Sequence, residues 1–256
     1  SSNAGNNIFV YYLFSTLGTV THPATSALSA TSGTFSGNTT VAGTLGVTGA
    51  TTLTGASLND AQTIQFGSSQ DSDIAHYSDG QFALRNTDSQ GITFYTGSTP
   101  TEHMRINAIG AVTMPLQPSF YAVVNSSQDN IATGQWHTII FGLERFDSNV
   151  DFNNSNGTFT APVTGKYQLN TSIRLTAADT AANAYLFRLN GSNRAPIANY
   201  DGNQYATDTE ITVQLSALLD MDANDTVTVQ LYQDGGTAQT DIQNGEYSFF
   251  NGILVG

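Results

Sequence analysis

Large apolar residues recur along this chain in two rhythms. Between residues 34 and 57 the interval is six: Phe35, Val41, Val47 and Leu53 are each followed two positions later by glycine, with a small residue between. The repeating unit reads as short strand, turn, short strand. One large side chain per unit cannot shield a core, and four units wind barely more than one coil of a single-chain β-helix. Three identical chains around one axis would place three apolar side chains in each layer, and glycine would admit the close backbone turn. The spacing therefore predicts a trimeric β-fibrous or β-helical shaft with Phe35, Val41, Val47 and Leu53 as its core. A flexible linker has no reason to hold apolar residues in strict register.

From residue 58 onward the interval falls to two. Ile64 to Phe66, Phe82 to Leu84, Ile92 to Phe94 and Met104 to Ile106 alternate in or near that period, and Ser78-Asp79-Gly80-Gln81 is a hairpin signal. The region 58–116 reads as a strand-rich neck. Beyond it, 117–256 has the size of one β-sandwich. Strands are expected at Tyr121 to Val124, Thr138 to Phe141, Thr158 to Ala161, Gly165 to Leu175, Ala184 to Leu189, Glu210 to Leu219, Thr226 to Tyr232 and Tyr247 to Val255. The fold class is all-β. Residues 1–33, with the strand-like run Ile8 to Phe14, read as a connector from a longer upstream domain.

Composition supports the same class. The chain has 35 Thr, 22 Asn and 24 Gly but one Lys (Lys166) and four Glu, where surface helices would call for Lys and Glu. With no cysteine, disulfide scaffolds, zinc fingers and thiol nucleophiles are excluded. A net charge of −13 repels phosphate backbones and anionic lipid, which argues against nucleic acid as a partner. The apolar run at Ile8 is far shorter than the roughly 20 residues of a membrane span.

Candidate chemistry is sparse. His22, His76, His103 and His137 show no metal-ligand spacing, and His137 beside the sole tryptophan, Trp136, reads as a core or rim pair. No nucleophile elbow or phosphate-binding loop is present. The chain therefore does not read as an enzyme. Asp220-Met-Asp222-Ala-Asn224-Asp225 lacks the glycine and the bidentate glutamate of an EF-hand and reads as an acidic turn. Tyr200, Asp201, Asn203, Tyr205, Asn190, Asn193 and Asp234 sit in turn-like stretches of the Tyr, Asn and Gly type that contacts sugars and proteins, and form the candidate receptor-binding set.

Two resemblances sharpen this reading. Thr101 to Pro115, with Met104-Arg105-Ile106, Gly110, Val112 and Met114, resembles stretches recurring in bacteriophage tail-fibre proteins. The head resembles the C1q/TNF-like jelly rolls through Phe120, Phe152-Asn153, the block Gly157-x-Phe159-x-Ala161-Pro162-x-x-Gly165-x-Tyr167, Leu189-Asn190-Gly191, Asn224-Asp225-x-Val227 and Ser248-Phe249-Phe250-x-Gly252-Ile253-Leu254. Asn224 replaces the family's usual glycine, a position where Asn also accepts positive φ. The collagen stalk of many members is absent, and the hexad shaft occupies its place. The resemblance implies a ten-stranded jelly roll that trimerises, with recognition by apical or lateral loops. It also implies Ca²⁺ at the trimer apex through Asp201 and Gln204, whose loop loosely matches that of calcium-binding members. The expectation is a homotrimeric bacteriophage fibre on the virion. Its N-terminal side would meet other tail or capsid proteins, and its head would adsorb to a host glycan or protein. The alternatives are a structural appendage whose head is a trimerisation clamp, and a bacterial C1q-like surface adhesin.

Overall fold

The computed structural model describes residues 40–41, 45–48, 63–66, 71–192, 194–202 and 210–256. The chain divides between residues 57 and 58. Of the shaft ladder, Phe35 and Leu53 lie outside the described residues, as does the connector 1–33. Val41 and Val47 are 48% and 52% exposed, and residues 40–41 and 45–48 form no strand in the single chain.

The neck forms two three-stranded antiparallel sheets. The first holds β1 (Thr63–Phe66), β2 (Ser72–His76) and β3 (Phe82–Asn86); the second holds β4 (Ile92–Thr96), β5 (Thr101–Ile106) and β6 (Val112–Thr113). The Asp-Gly signal closes β2 to β3: Gly80 has φ +87°, and Tyr77 N–H donates to Gln81 O at 2.8 Å. Between residues 71 and 116 only Asp73 and Ala75 are buried.

The head is a sandwich of two antiparallel sheets. One runs β10 (Leu143–Asp147), β7 (Ser119–Val124), β19 (Gly245–Leu254), β13 (Gly165–Thr176), with β16 (Ile211–Met221) on the far edge of β13. Short β18 (Thr240–Ile242) and β8 (Gln128–Ile131) extend the β19 side. The second runs β11 (Phe152–Asn153), β12 (Thr158–Thr160), β17 (Thr226–Gly235), β14 (Ala182–Gly191), β15 (Ile197–Asp201), with β9 (Trp136–Thr138) also on β17. The long strands alternate as a two-faced sheet requires. In β17, Val227, Val229 and Leu231 are fully buried while Thr228, Gln230 and Tyr232 face the other way.

The core is aromatic at its centre. Phe120 stacks on Phe152 and Phe159 with centroids 4.9 and 4.8 Å away and meets Phe250 edge-on at 4.9 Å. The Gly-x-Phe-x-Ala-Pro block explains itself physically. Gly157 turns with φ +68° where a Cβ would lie 2.3 Å from the Ile139 carbonyl oxygen. Phe159 and Ala161 then point into the core, and the Tyr167 hydroxyl donates to Val163 O at 2.7 Å, closing the Pro162 turn. Asn224 adopts φ +73°, the conformation for which it substitutes for glycine.

Candidate functional site

Two faces of the head remain unsealed by its own core. The outward face of the first sheet carries a row in register across five strands: Phe146, Tyr121, Asn251, Asn170 and Ser216. At one end the rings of Tyr121, Phe146 and Phe249 cluster at 5.6–6.3 Å. At the other a polar ladder holds the strands: Ser216 Oγ donates to Asn170 Oδ1 at 2.7 Å and Asn170 Nδ2 to Asn251 Oδ1 at 3.0 Å. Arg145 pairs with Glu246, whose other oxygen accepts the Tyr121 hydroxyl at 2.8 Å. That hydroxyl and the Arg145 guanidinium hold the Glu246 carboxyl below the usual range, and burial pushes the Tyr121 phenol up. Phe146, Tyr247 and Leu218 are 53%, 56% and 55% exposed on this face. Large apolar side chains left in water in such number mark an interaction surface.

The second sheet's outward face is a platform built from strands far apart in sequence. Cross-strand register sets Trp136, Tyr232, Leu186 and Asn199 in one row and Thr138, Gln230, Arg188 and Ile197 in the next. The Arg188 guanidinium lies 3.8 Å over the Trp136 ring, and Trp136 and Tyr232 are 5.4 Å apart. Gln230 fixes the arginine: its Oε1 accepts from Arg188 Nε at 2.9 Å and Nη2 at 2.7 Å, while its Nε2 donates to Thr138 Oγ1 at 3.0 Å. A third row sets Asp234 and Asp201 on either side of Ala184, two strand spacings or about 10 Å apart.

The sequence-derived candidates therefore separate. Asp234, Asp201 and Asn190 share the platform face, Asn190 at the end opposite the two aspartates. Tyr200 faces inward: its ring packs against the core and its hydroxyl both accepts from Gln214 N–H and donates to Gln214 O, each at 2.8 Å, tying β15 to β16. Asn193, Asn203, Gln204 and Tyr205 lie outside the described residues. Calcium takes six to eight oxygen ligands. Asp201 is the one described member of the proposed calcium pair, and no three acidic or histidine side chains converge among the described residues. The described residues do not build that ion's site, and no role for Ca²⁺ is derived. Trp136, Arg188, Gln230 and Tyr232 were not singled out as a site from sequence. Only their outward alternation on separate strands hinted at it.

An open cleft of about 570 Å³ is lined by Glu144, Asp151, Asn153, Pro162 and Asn224. Burial, then neighbouring Asp147, pushes the Asp151 carboxyl up. The Asp147 carboxylate accepts the N–H groups of Asn149, Asp151 and Phe152, so it shapes the turn. His137 turns away from the platform: its Nε2 lies 3.4 Å from Gln128 Oε1, and burial lowers its pKa. Asp222 to Asp225 is a tight acidic turn closed by Asp222 N–H on Asp225 Oδ2. Among the described residues no helix is long and apolar enough to cross a membrane.

Comparison with known proteins matches the C1q domain to residues 119–255. C1q/TNF-like domains are a non-catalytic binding and structural family and typically trimerise. No curated protein matches the chain. Among solved structures, the globular domain of zebrafish complement 1qA is similar at 19% identity over 55% of this chain and 98% of its own, with a TM-score of 0.41. Murine APRIL is similar at 10% identity, 54% and 99% coverage and a TM-score of 0.40, and PRD1 vertex protein P5 at 12%, 55% and 99%, also with 0.40. Since the matched segment spans more than half of its length, the chain belongs to the C1q domain family.

Proposed function

We propose that this chain is part of a homotrimeric bacteriophage fibre whose C1q head adsorbs non-covalently to the host surface. The observation that carries the reading is the unsealed face of the first sheet, with Phe146, Tyr247 and Leu218 in water in one copy. Burying those side chains against two further copies would hide apolar surface that the head's own core cannot reach. The hexad ladder asks for the same symmetry: Val41 and Val47 are exposed in a single chain. The resemblance of Thr101 to Pro115 to stretches of bacteriophage tail-fibre proteins supports a place on a virion, with the N-terminal side meeting other virion proteins. Trimeric presentation supports adsorption, because many weak contacts made together become strong.

Light scattering of the purified chain tests association: the expected mass is about three times the 27.1 kDa of one chain, and a folded monomer in dilute solution overturns the reading. Labelled trimer should bind host cells saturably and be competed by whole phage. A trimer without saturable binding makes the head a clamp that registers the shaft. Absence of the chain from purified virions makes it a bacterial surface adhesin instead.

A further inference from the structure

We infer that the outward platform of the second sheet binds a carboxylate-bearing glycan, with Arg188 taking the acid and Tyr232 and Trp136 taking the sugar face. This rests on the reading of the head as a recognition module and names the ligand class and the residues.

Charge complementarity selects an acidic sugar. The chain has seven Lys and Arg against twenty Asp and Glu, and five of the seven, Arg85, Arg105, Lys166, Arg145 and Arg174, are held in ion pairs. Arg188 has no carboxylate partner among the described residues. An unneutralised guanidinium in so acidic a protein is a fixed attraction for an anion. Trp136 beneath it and Gln230 beside it hold it still, and both Gln230 contacts come from Nε and Nη2, leaving the Nη1 edge of the fork for a ligand. A pre-oriented guanidinium gives up little freedom when it takes a carboxylate through two parallel hydrogen bonds.

The rest of the platform suits a pyranose. A sugar carries an apolar C–H face and a hydroxyl rim, and the two aromatic side chains offer both complements. Among the described residues neither the Trp136 indole N–H nor the Tyr232 hydroxyl has a protein hydrogen-bond partner. Two polar handles at the edge of half-buried rings can therefore bond sugar hydroxyls without breaking a bond of the protein. Polarity along the face fixes direction: Asp234 and Asp201 flank Ala184, four residues along β14 from Arg188. The Asp234 carboxylate repels the ligand's acid from that end and steers it to Arg188.

The sole tryptophan, Trp136, is the reporter. The full chain is titrated with trigalacturonate and with sialyllactose, and in parallel with neutral maltotriose and lactose, while its fluorescence is followed. At least one acidic probe is expected to give a saturable change that weakens with added salt, and the neutral sugars are expected to give none. Arg188→Met should weaken the acidic probe by at least about tenfold, the loss of a charge-assisted pair, and Tyr232→Phe by a few-fold. No saturable change with either acidic probe, equal response to neutral sugars, or unchanged affinity in Arg188→Met overturns the site. Cell binding by the Arg188→Met trimer separates this from the wider reading. Retention there with loss of glycan binding shows that adsorption uses another surface and overturns the platform as the receptor site. Wild-type protein that fails on cells while binding the acidic probe overturns the adsorption reading alone.

Discussion

Replacing Gly252 with alanine puts one methyl group into a closely packed point of the head's core. A Cβ there would lie 2.5 Å from Leu169 Cδ2 and 2.7 Å from Phe120 Cε1, where carbon atoms in contact ordinarily sit about 3.5–4.0 Å apart. The Phe120 ring has nowhere to go: Phe152 and Phe159 stack on it at 4.9 and 4.8 Å, and Phe250 meets its edge. Overpacking of this kind costs about 1–3 kcal/mol. Phe120→Leu alone forfeits those aromatic contacts at about 0.5–1.5 kcal/mol each, yet it opens room beside residue 252. The double variant should therefore lose less than the two single variants together, by about 1 kcal/mol or more. Calorimetric melting at one fixed protein concentration is the assay, because the association proposed above would make the midpoint concentration-dependent. Strict additivity, or a Gly252→Ala variant as stable as the parent, would refute the claim that the Gly252–Phe120 contact sets the register of β19 on β7.

Asp179 clamps the loop after β17. Its carboxylate accepts N–H bonds from Ala238, Ala181 and Thr237, which hold it below the usual carboxylate range. Its contribution is present above the unfolded-state value near pH ~4 and is lost as pH falls through the depressed folded value. Asp179→Ala should cost about 1–3 kcal/mol at pH 7 and lose part of the parent's acid sensitivity in urea titrations at pH 7 and pH 3. Asn224→Gly should be neutral or stabilising in thermal melts, whereas Asn224→Val, forced to φ +73°, should cost about 1–2 kcal/mol. Phe249→Asp sets a charge in the Tyr121 and Phe146 ring cluster; light scattering should show a smaller species with unchanged far-ultraviolet circular dichroism. Under limited proteolysis at high dilution, the neck between residues 71 and 116 should be cut before the head, since only Asp73 and Ala75 are buried among those residues.

The long strands were legible because they alternate strictly. Gly165 to Leu175 was expected and β13 runs Gly165–Thr176; Thr226 to Tyr232 was expected and β17 runs Thr226–Gly235. Gln128–Ile131 and Leu143–Asp147 were not, since QDNI and LERFD carry little strand propensity and become strands only through β18 and β7. Thr138 to Phe141 was placed late: the strand occupies Trp136–Thr138, and Ile139 and Phe141 lie fully buried beyond its end. The same limit applies to the candidate site. Taking Tyr200 and Asp201 together presumed a loop, but they are neighbours on β15, so their side chains face opposite ways. Trp136, Arg188 and Tyr232 meet through cross-strand register, which no stretch of local sequence specifies.

Head and neck answer the same physical demand in opposite ways. In the head, two sheets cover each other, and Phe120, Phe159, Tyr167, Phe187 and Phe250 all fall below 2% exposure. The neck's sheets have three strands each, and Phe82 and Leu84 of β3 stand 68% and 53% exposed. A single-layered sheet of that size has too little buried apolar surface to hold its shape in water. Among the described residues of the neck the one buried charge, Asp73, is engaged by Arg85 through Nε and Nη2, which fixes β2 against β3 but adds no core. The dependence on neighbours thus grows from the head, which closes its own core, through the neck to the hexad ladder, whose described valines are exposed. In the trimer proposed above, a head that closes its own core would set three chains in register before the segments ahead of it have anything to pack against, the order in which such a chain without cysteine would assemble.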